Sequence, residues 1–171
     1  MLLSLQMAAN SRFAVATHLM MGLALEAKGP VPSSSEFLAK SVNTSPIVVR
    51  RILGMLRDAG LVVGHPGRHG GATLAKAPDS VTLLDVYRAV DESSVFAFNT
   101  NRPNQHCPLS CSMKALLVPI FEGVESAVED ELRAVRLSDL VEKLLDETAG
   151  SPIRSPRASP LKRNTKKERS S

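Results

Sequence analysis

Two groups of residues carry side chains with evident chemistry: a cysteine pair beside a histidine, and a set of basic residues ahead of a glycine-rich segment. The first is His106-Cys107-Pro108-Leu109-Ser110-Cys111. Thiolates and imidazoles ligate zinc and iron-sulfur clusters, but both normally take four ligands, and the whole chain holds 2 cysteines. Redox chemistry is a second reading. A thiolate is favoured at a helix N-terminus, and a neighbouring thiol can resolve a sulfenic acid. The third reading is a pair of ordinary thiols, and the residues alone leave all three open. The second group is Lys40, Arg50, Arg51, Arg57 and Arg68, followed by His69. From Lys40 to Arg68 these five basic residues face one acid, Asp58, a local net charge of +4. Charge of that density neutralises DNA phosphates; the alternative is a solvated basic helix face.

Whole-chain charge does not decide between them. The net charge of +4 is dominated by the C-terminus, where seven basic residues and one acid follow position 150 and leave the remaining residues at net −2. A nucleic-acid reading must therefore rest on where positive charge is concentrated. Other classes are disfavoured. His18 and His65 stand apart from any nucleophile. The glycine-rich segment precedes a strand and does not open a helix, so it is neither a phosphate-binding loop nor a dinucleotide fingerprint. No enzymatic activity is expected. Apolar runs fall short of the roughly 18 residues of a membrane span. The start, MLLSLQMAAN, lacks the basic residue and cleavage site of a signal peptide, so a cytoplasmic protein is expected, with Met7 a candidate start.

The elements that would position these residues follow from periodicity. Asn10 and Ser11 can cap a helix whose apolar positions Phe13, Ala16, Leu19, Met20, Leu23 and Ala24 recur at three and four. Gly29-Pro30 ends it. Residues 33–35, three serines, offer a cap for a short helix over 36–41, and 42–44 form a turn. Thr44 or Ser45 caps the next helix, with Pro46 in its first turn. It runs through Ile47, Val48, Ile52, Leu53, Leu56 and Ala59 to Gly60. Two short helices across a tight turn are a helix-turn-helix. Two apolar stretches, 61–63 and 72–75, joined by the glycine-rich residues 64–71, predict a hairpin; after a recognition helix it is a wing.

Thr82-Leu83-Leu84-Asp85 has the spacing of a capping box and opens a helix through Val86, Tyr87 and Val90. Residues 95–98 are read as extended, and 99–112 as a polar loop holding both cysteines. Beyond it, Met113, Leu116, Leu117, Ile120, Phe121, Val124, Val128, Leu132 and Val135 make one helical stripe roughly 34 Å long, with Pro119 a kink or a first turn. That is more apolar surface than a small winged domain covers, which points to a homodimer interface carried by Leu116, Leu117, Ile120, Phe121, Val124, Val128 and Leu132. A last helix is expected over 138–146. The division is an extension over 1–9, a winged helix-turn-helix domain over 10–90, a cysteine-containing loop over 91–112, dimerisation helices over 113–147 and a disordered basic tail over 148–171. The fold class is mainly α with a small β-hairpin wing and a long dimerisation helix.

Several segments jointly carry a resemblance: Asn-Ser-Arg-Phe-Ala-Val-Ala at 10–16, Ser-Val-Asn-Thr-Ser-Pro-Ile-Val-Val-Arg-Arg-Ile-Leu at 41–53, Leu-Arg-Asp-Ala-Gly-Leu-Val at 56–62, Gly-Arg-His-Gly-Gly-Ala at 67–72, Thr-Leu-Leu-Asp-Val-Tyr-Arg-Ala-Val at 82–90 and Cys-Pro at 107–108. Over residues 10–147 the chain resembles the Rrf2 family of bacterial winged-helix regulators, which includes an iron-sulfur cluster regulator and a nitrite-sensitive repressor. The resemblance implies a homodimer, usually a repressor, with residues 45–58 in the major groove and the wing of 65–71 at the minor groove of an operator. Residues and resemblance together give a DNA-facing set of Asn10, Ser11, Arg12, Lys40, Thr44, Ser45, Pro46, Val49, Arg50, Arg51, Arg68, His69 and Gly70. Cluster-binding members carry three close cysteines, whereas this chain has only Cys107 and Cys111. It therefore looks like the cluster-less branch, with no cofactor and no metal expected and the two cysteines as sensor candidates.

Overall fold

The computed structural model describes residues 9–26, 32–67, 70–91, 96, 98, 102 and 104–149. Among them the order is α1 (Ala9–Glu26), α2 (Ser35–Val42), α3 (Pro46–Asp58), β1 (Val62–His65), β2 (Gly71–Leu74), a 3-10 turn (Pro78–Ser80), α4 (Leu83–Val90), α5 (Pro108–Ala134) and α6 (Leu137–Thr148). The predicted class, mainly helical with a two-stranded hairpin, is the observed one. Of the expected extension over 1–9 only Ala9 is described, as the first residue of α1, and of the tail expected over 148–171 only Thr148, the last residue of α6, and Ala149; residues 95 and 97 also lie outside the described residues.

Local signals account for most boundaries. Ser34 accepts the Phe37 N–H and Ser45 the Val48 N–H, each satisfying an orphan donor of a first turn. Between these helices Asn43 is left-handed at φ 56°, a conformation asparagine tolerates better than most residues. Thr44 N–H then returns to the Ala39 carbonyl at 3.0 Å, closing the turn that sets α3 against α2. At Thr82 the capping box forms with Asp85 as its acid, as its spacing predicts. Asn10 and Ser11 do not cap α1: the helix already includes Ala9, so both lie inside its first turn.

Ala16, Leu19, Met20 and Leu23 of α1 pack with Leu38 of α2, Val49, Ile52 and Leu56 of α3, Val62 and Ala72 of the hairpin, and Val81, Val86 and Val90 around α4. The hairpin pairs Val62 with Leu74 through His65 with Gly71, so its loop is shorter than the expected 64–71. Ser33 adds a backbone pair to Ala72, donating at 3.1 Å and accepting at 2.9 Å, which ties the wing to the chain before α2. A side chain at Gly71 would run into the Ser33 carbonyl, and one at Gly70 into that of His65; the close approach requires glycine at both.

Three differences concern the C-terminal half. The region expected as loop up to 112 becomes helix at Pro108, because proline occupies the first helical position without losing a bond and Cys111 N–H closes the turn on the Cys107 carbonyl at 3.1 Å. Pro119 lies inside the continuous α5; it is not a first turn, and it leaves the Ala115 carbonyl without its usual donor. Val135 leaves the stripe: its carbonyl accepts Leu83 N–H and the Val81 carbonyl accepts Leu137 N–H, both at 2.9 Å, around a bridge between Thr82 and Arg136. Leu137, fully buried, thereby joins the winged-domain core. Leu137→Ala is expected to cost about 2–5 kcal/mol, measured by urea unfolding.

Candidate nucleic-acid interface

The outer face of α3 is defined by what its inner face buries. Val48, Val49, Ile52 and Leu56 follow helical spacing into the core. Val49, included in the DNA-facing set, is 0 % exposed; it is a packing residue and its assignment is corrected. One position, about 100° of helical rotation, separates it from Arg50 on the outside. The reverse error concerns Ile47, read as part of the apolar run into the core, which the structure leaves 71 % exposed. The stricter spacing of 49, 52 and 56 excludes it from the inner face, a signal present in the sequence.

Arg50 is held in place. Its Nη2 donates to Glu36 Oε1 at 2.5 Å and its Nε to Ser35 Oγ at 3.1 Å. Glu36 is held below the ordinary carboxylate range first by its own backbone N–H in the opening turn of α2 and second by the Arg50 guanidinium. A carboxylate with a depressed value keeps such a contact above its unfolded value and loses it as pH falls through the folded one, so the clamp is fully formed at neutral pH. Arg50 opens onto a cleft of about 420 Å³ between the start of α2, α3 and the wing, also lined by Arg57, Gly64, His65 and Gly70. Arg57 pairs with Asp58 at 2.9 Å. Lys40 and Arg51 are exposed and have no charged partner among the described residues. We expect Glu36→Gln to raise affinity for random duplexes several-fold and to reduce the ratio of selected to random binding, as measured by fluorescence anisotropy, because it frees the guanidinium from one orientation.

The rest of the predicted set divides. Thr44, Ser45 and Pro46 lie at the N-terminal end of α3, where Ser45 serves as cap and leaves its remaining lone pair to solvent. Gly70 donates its N–H to the Gly67 carbonyl at 2.9 Å within the wing; Arg68 and His69 lie outside the described residues. The Asn10 side chain does as well, and Ser11 is half-buried. Arg12 is not brought to this face. It reaches the buried Asp91 carboxylate at 3.9 Å and lines a depression with Met55, Asp58 and Ala59, at the opposite end of α3 from Ser45. Sequence could not reveal that pairing, because Asp91 follows α4.

Along α5, Leu116 is 62 % and Ile120 58 % exposed, with Val124 also exposed. Pro119, Ile120, Gly123, Val124, Ala127 and Val128 line an open groove in which two small residues flatten the surface. Leu117, Val128 and Leu132 are half-buried. Phe121 stacks on Phe96 at 4.6 Å and meets Phe98 in a tilted contact at 4.9 Å between ring centroids, so its ring is partly used within the chain.

Cys107 occupies the cap position of α5, half-buried, and Cys111 lies one turn further and exposed. Asn104 organises the approach: its Oδ1 accepts His106 N–H at 3.0 Å, its N–H donates to Ser110 Oγ at 2.9 Å, and its carbonyl takes the Cys111 thiol at 3.6 Å. No group of three or more candidate metal ligands occurs among the described residues. Two thiols and the His106 imidazole fall short of the four donors of a cluster or structural zinc site, and the chain has no third cysteine. These residues do not fit such a group.

The Rrf2 family model, described as an iron-dependent transcriptional regulator, matches residues 9–143. YwnA of Bacillus subtilis, whose name places it among HTH-type transcriptional regulators, is 40% identical over 136 residues, covering 79% of this chain and 98% of its own. A crystal structure described as a DNA binding protein superposes with a TM-score of 0.60 at 36% identity, over 75% of this chain and 97% of that one. CymR of B. subtilis, described as a global cysteine regulator, shares the fold with a TM-score of 0.59 at 23% identity, over 82% of this chain and 98% of that one. With the helix-turn-helix, the wing and the long α5 in the order that the family requires, the chain belongs to the Rrf2 family of winged-helix, DNA-binding transcriptional regulators.

Proposed function

We propose that the protein is a cytoplasmic homodimeric repressor that lays α3 in the major groove of each operator half-site, with the wing at the adjacent minor groove, and that its affinity responds to thiol oxidation at Cys107. The observation that carries the DNA reading is the exposed face of α3, where the clamped Arg50 opens onto the wing cleft and the next residue, Arg51, is exposed with no charged partner among the described residues, in a chain whose remaining charge is net negative ahead of the tail. The exposed stripe of α5 supports the dimer, since a twofold dimer joined along it presents two α3 helices to paired half-sites. Binding of selected and of random duplexes across a salt series tests the DNA reading. Affinity for the selected duplex is expected to fall at least about tenfold between roughly 50 and 200 mM salt and to exceed random binding throughout. A flat salt response without sequence preference would instead establish a protein-interaction adaptor that kept the winged fold.

For the thiol response, the Cys107 thiolate attacks one oxygen of hydrogen peroxide, the O–O bond breaks, hydroxide leaves and takes a proton from solvent to become water, and a sulfenic acid remains; the Cys111 thiol then condenses with it to a disulfide and releases a second water. Peroxide is expected to weaken operator binding by the parent and to leave Cys107→Ser unaffected. If Cys107→Ser responds as the parent does, Cys107 is not the switch. No cofactor enters this reading.

A further inference from the structure

Of the large apolar side chains described, Ile47 is the most exposed, at 71 %. Those that approach it, Leu109, Leu116 and Ile120, belong to α5. Ile47 stands apart from them, on the charged face of α3, second in the helix after Pro46 and two positions beyond the Ser45 cap. Arg51 follows one turn later on the same side, and Arg50 lies between them on the wing side. A lone aliphatic residue among arginines, serine and proline is not a protein-docking patch, which would need contiguous apolar surface. Nor does packing require it, because Val48 and Val49 beside it already fill the core.

The chemistry of the major groove supplies a partner. Base edges there present hydrogen-bond donors and acceptors and a single apolar group, the C5 methyl of thymine. A β-branched side chain in a helix is restricted to essentially one χ1 rotamer, so Ile47 projects its methyl groups in a fixed direction from the first turn, the part of a recognition helix that reaches base edges. It has nothing to offer a polar edge. Set against guanine or cytosine it would strip water from donors and acceptors and leave them unpaired, which selects against those bases as much as the methyl contact selects for thymine.

We propose that Ile47 is a specificity-determining residue that packs on the C5 methyl of one thymine in each half-site. The inference rests on the reading of α3 as the major-groove helix. Its test uses a duplex selected from a random pool by the full-length protein, in which each thymine in turn is replaced by deoxyuridine, removing only the methyl group. For the parent we expect one position per half-site where the replacement weakens binding about three- to tenfold. Ile47→Ala should bind the thymine duplex more weakly by a similar factor and be indifferent to uracil at that position alone, with its melting temperature unchanged because the side chain is exposed. Parent binding unaffected by every single replacement, or an Ile47→Ala protein that keeps the full uracil sensitivity, would overturn the inference and leave the major-groove reading standing. A protein that enriches no sequence from the pool would overturn both.

Discussion

The doubly substituted Arg50→Ala, Arg51→Ala protein should lose at least about 100-fold in affinity for a selected duplex while retaining the parent's unfolding transition. Each good arginine contact to a base edge is worth roughly 1–3 kcal/mol of discrimination, and a dimer loses it in both half-sites. Stability is untouched because neither guanidinium is buried; the one contact removed inside the protein, Arg50 with Glu36, is solvent-exposed on both sides, and such pairs contribute little. The single variants separate two roles. Arg50, oriented by Glu36 and Ser35, is expected to contribute mainly to sequence preference, and Arg51 more evenly to all sequences. Footprinting at physiological salt decides the matter: a double variant that protects the same sites as the parent would remove α3 from the recognition role.

The second large effect concerns α5. Leu116→Asp combined with Ile120→Asp is expected to convert a dimer to a monomer in sedimentation equilibrium, and with it to reduce operator affinity by two or more orders of magnitude, since one half-site alone then supplies the contacts. Both side chains are more than half exposed within a single chain, so the charges introduced are solvated in the monomer and are buried without partners only at an interface. That asymmetry makes the experiment decisive. Retention of the parent mass would show that the stripe faces solvent or another partner.

How much of this was legible in the sequence depends on whether the signal was local. The caps at Ser34, Ser45 and Thr82, the turn at 42–44 and the end of α3 near Gly60 are determined by a few neighbouring residues, and the sequence places them at or near their true positions, though not the left-handed conformation of Asn43. Contacts across long separations were not legible. The sequence marks Arg12 as a DNA contact, yet its guanidinium lies 3.9 Å from Asp91, just past the far end of α4. Val135 continued the stripe by spacing alone, yet its carbonyl belongs to Leu83. Phase mattered most within α3: Val49 and Ile47 exchanged places between groove and core because an apolar run of three residues does not reveal which member faces out, until the buried positions 52 and 56 fix the rotation. At Cys107 the polar composition suggested loop, but proline at the next position begins a helix as readily as it interrupts one.

α5 meets α4 near its C-terminal end, where Glu129 accepts from Arg88 at 2.7 Å and Val135 pairs with Leu83, while Cys107 stands at its other end. The 22 helical steps from Cys107 to Glu129 amount to about 33 Å of rise. Mechanically this is a lever with its fulcrum beside the DNA-binding domain: a rotation of about 5° at Glu129 moves the cysteine end by about 3 Å over that length. Read in the other direction, a displacement the size of one side chain at the cysteines corresponds to a small change of angle at α4.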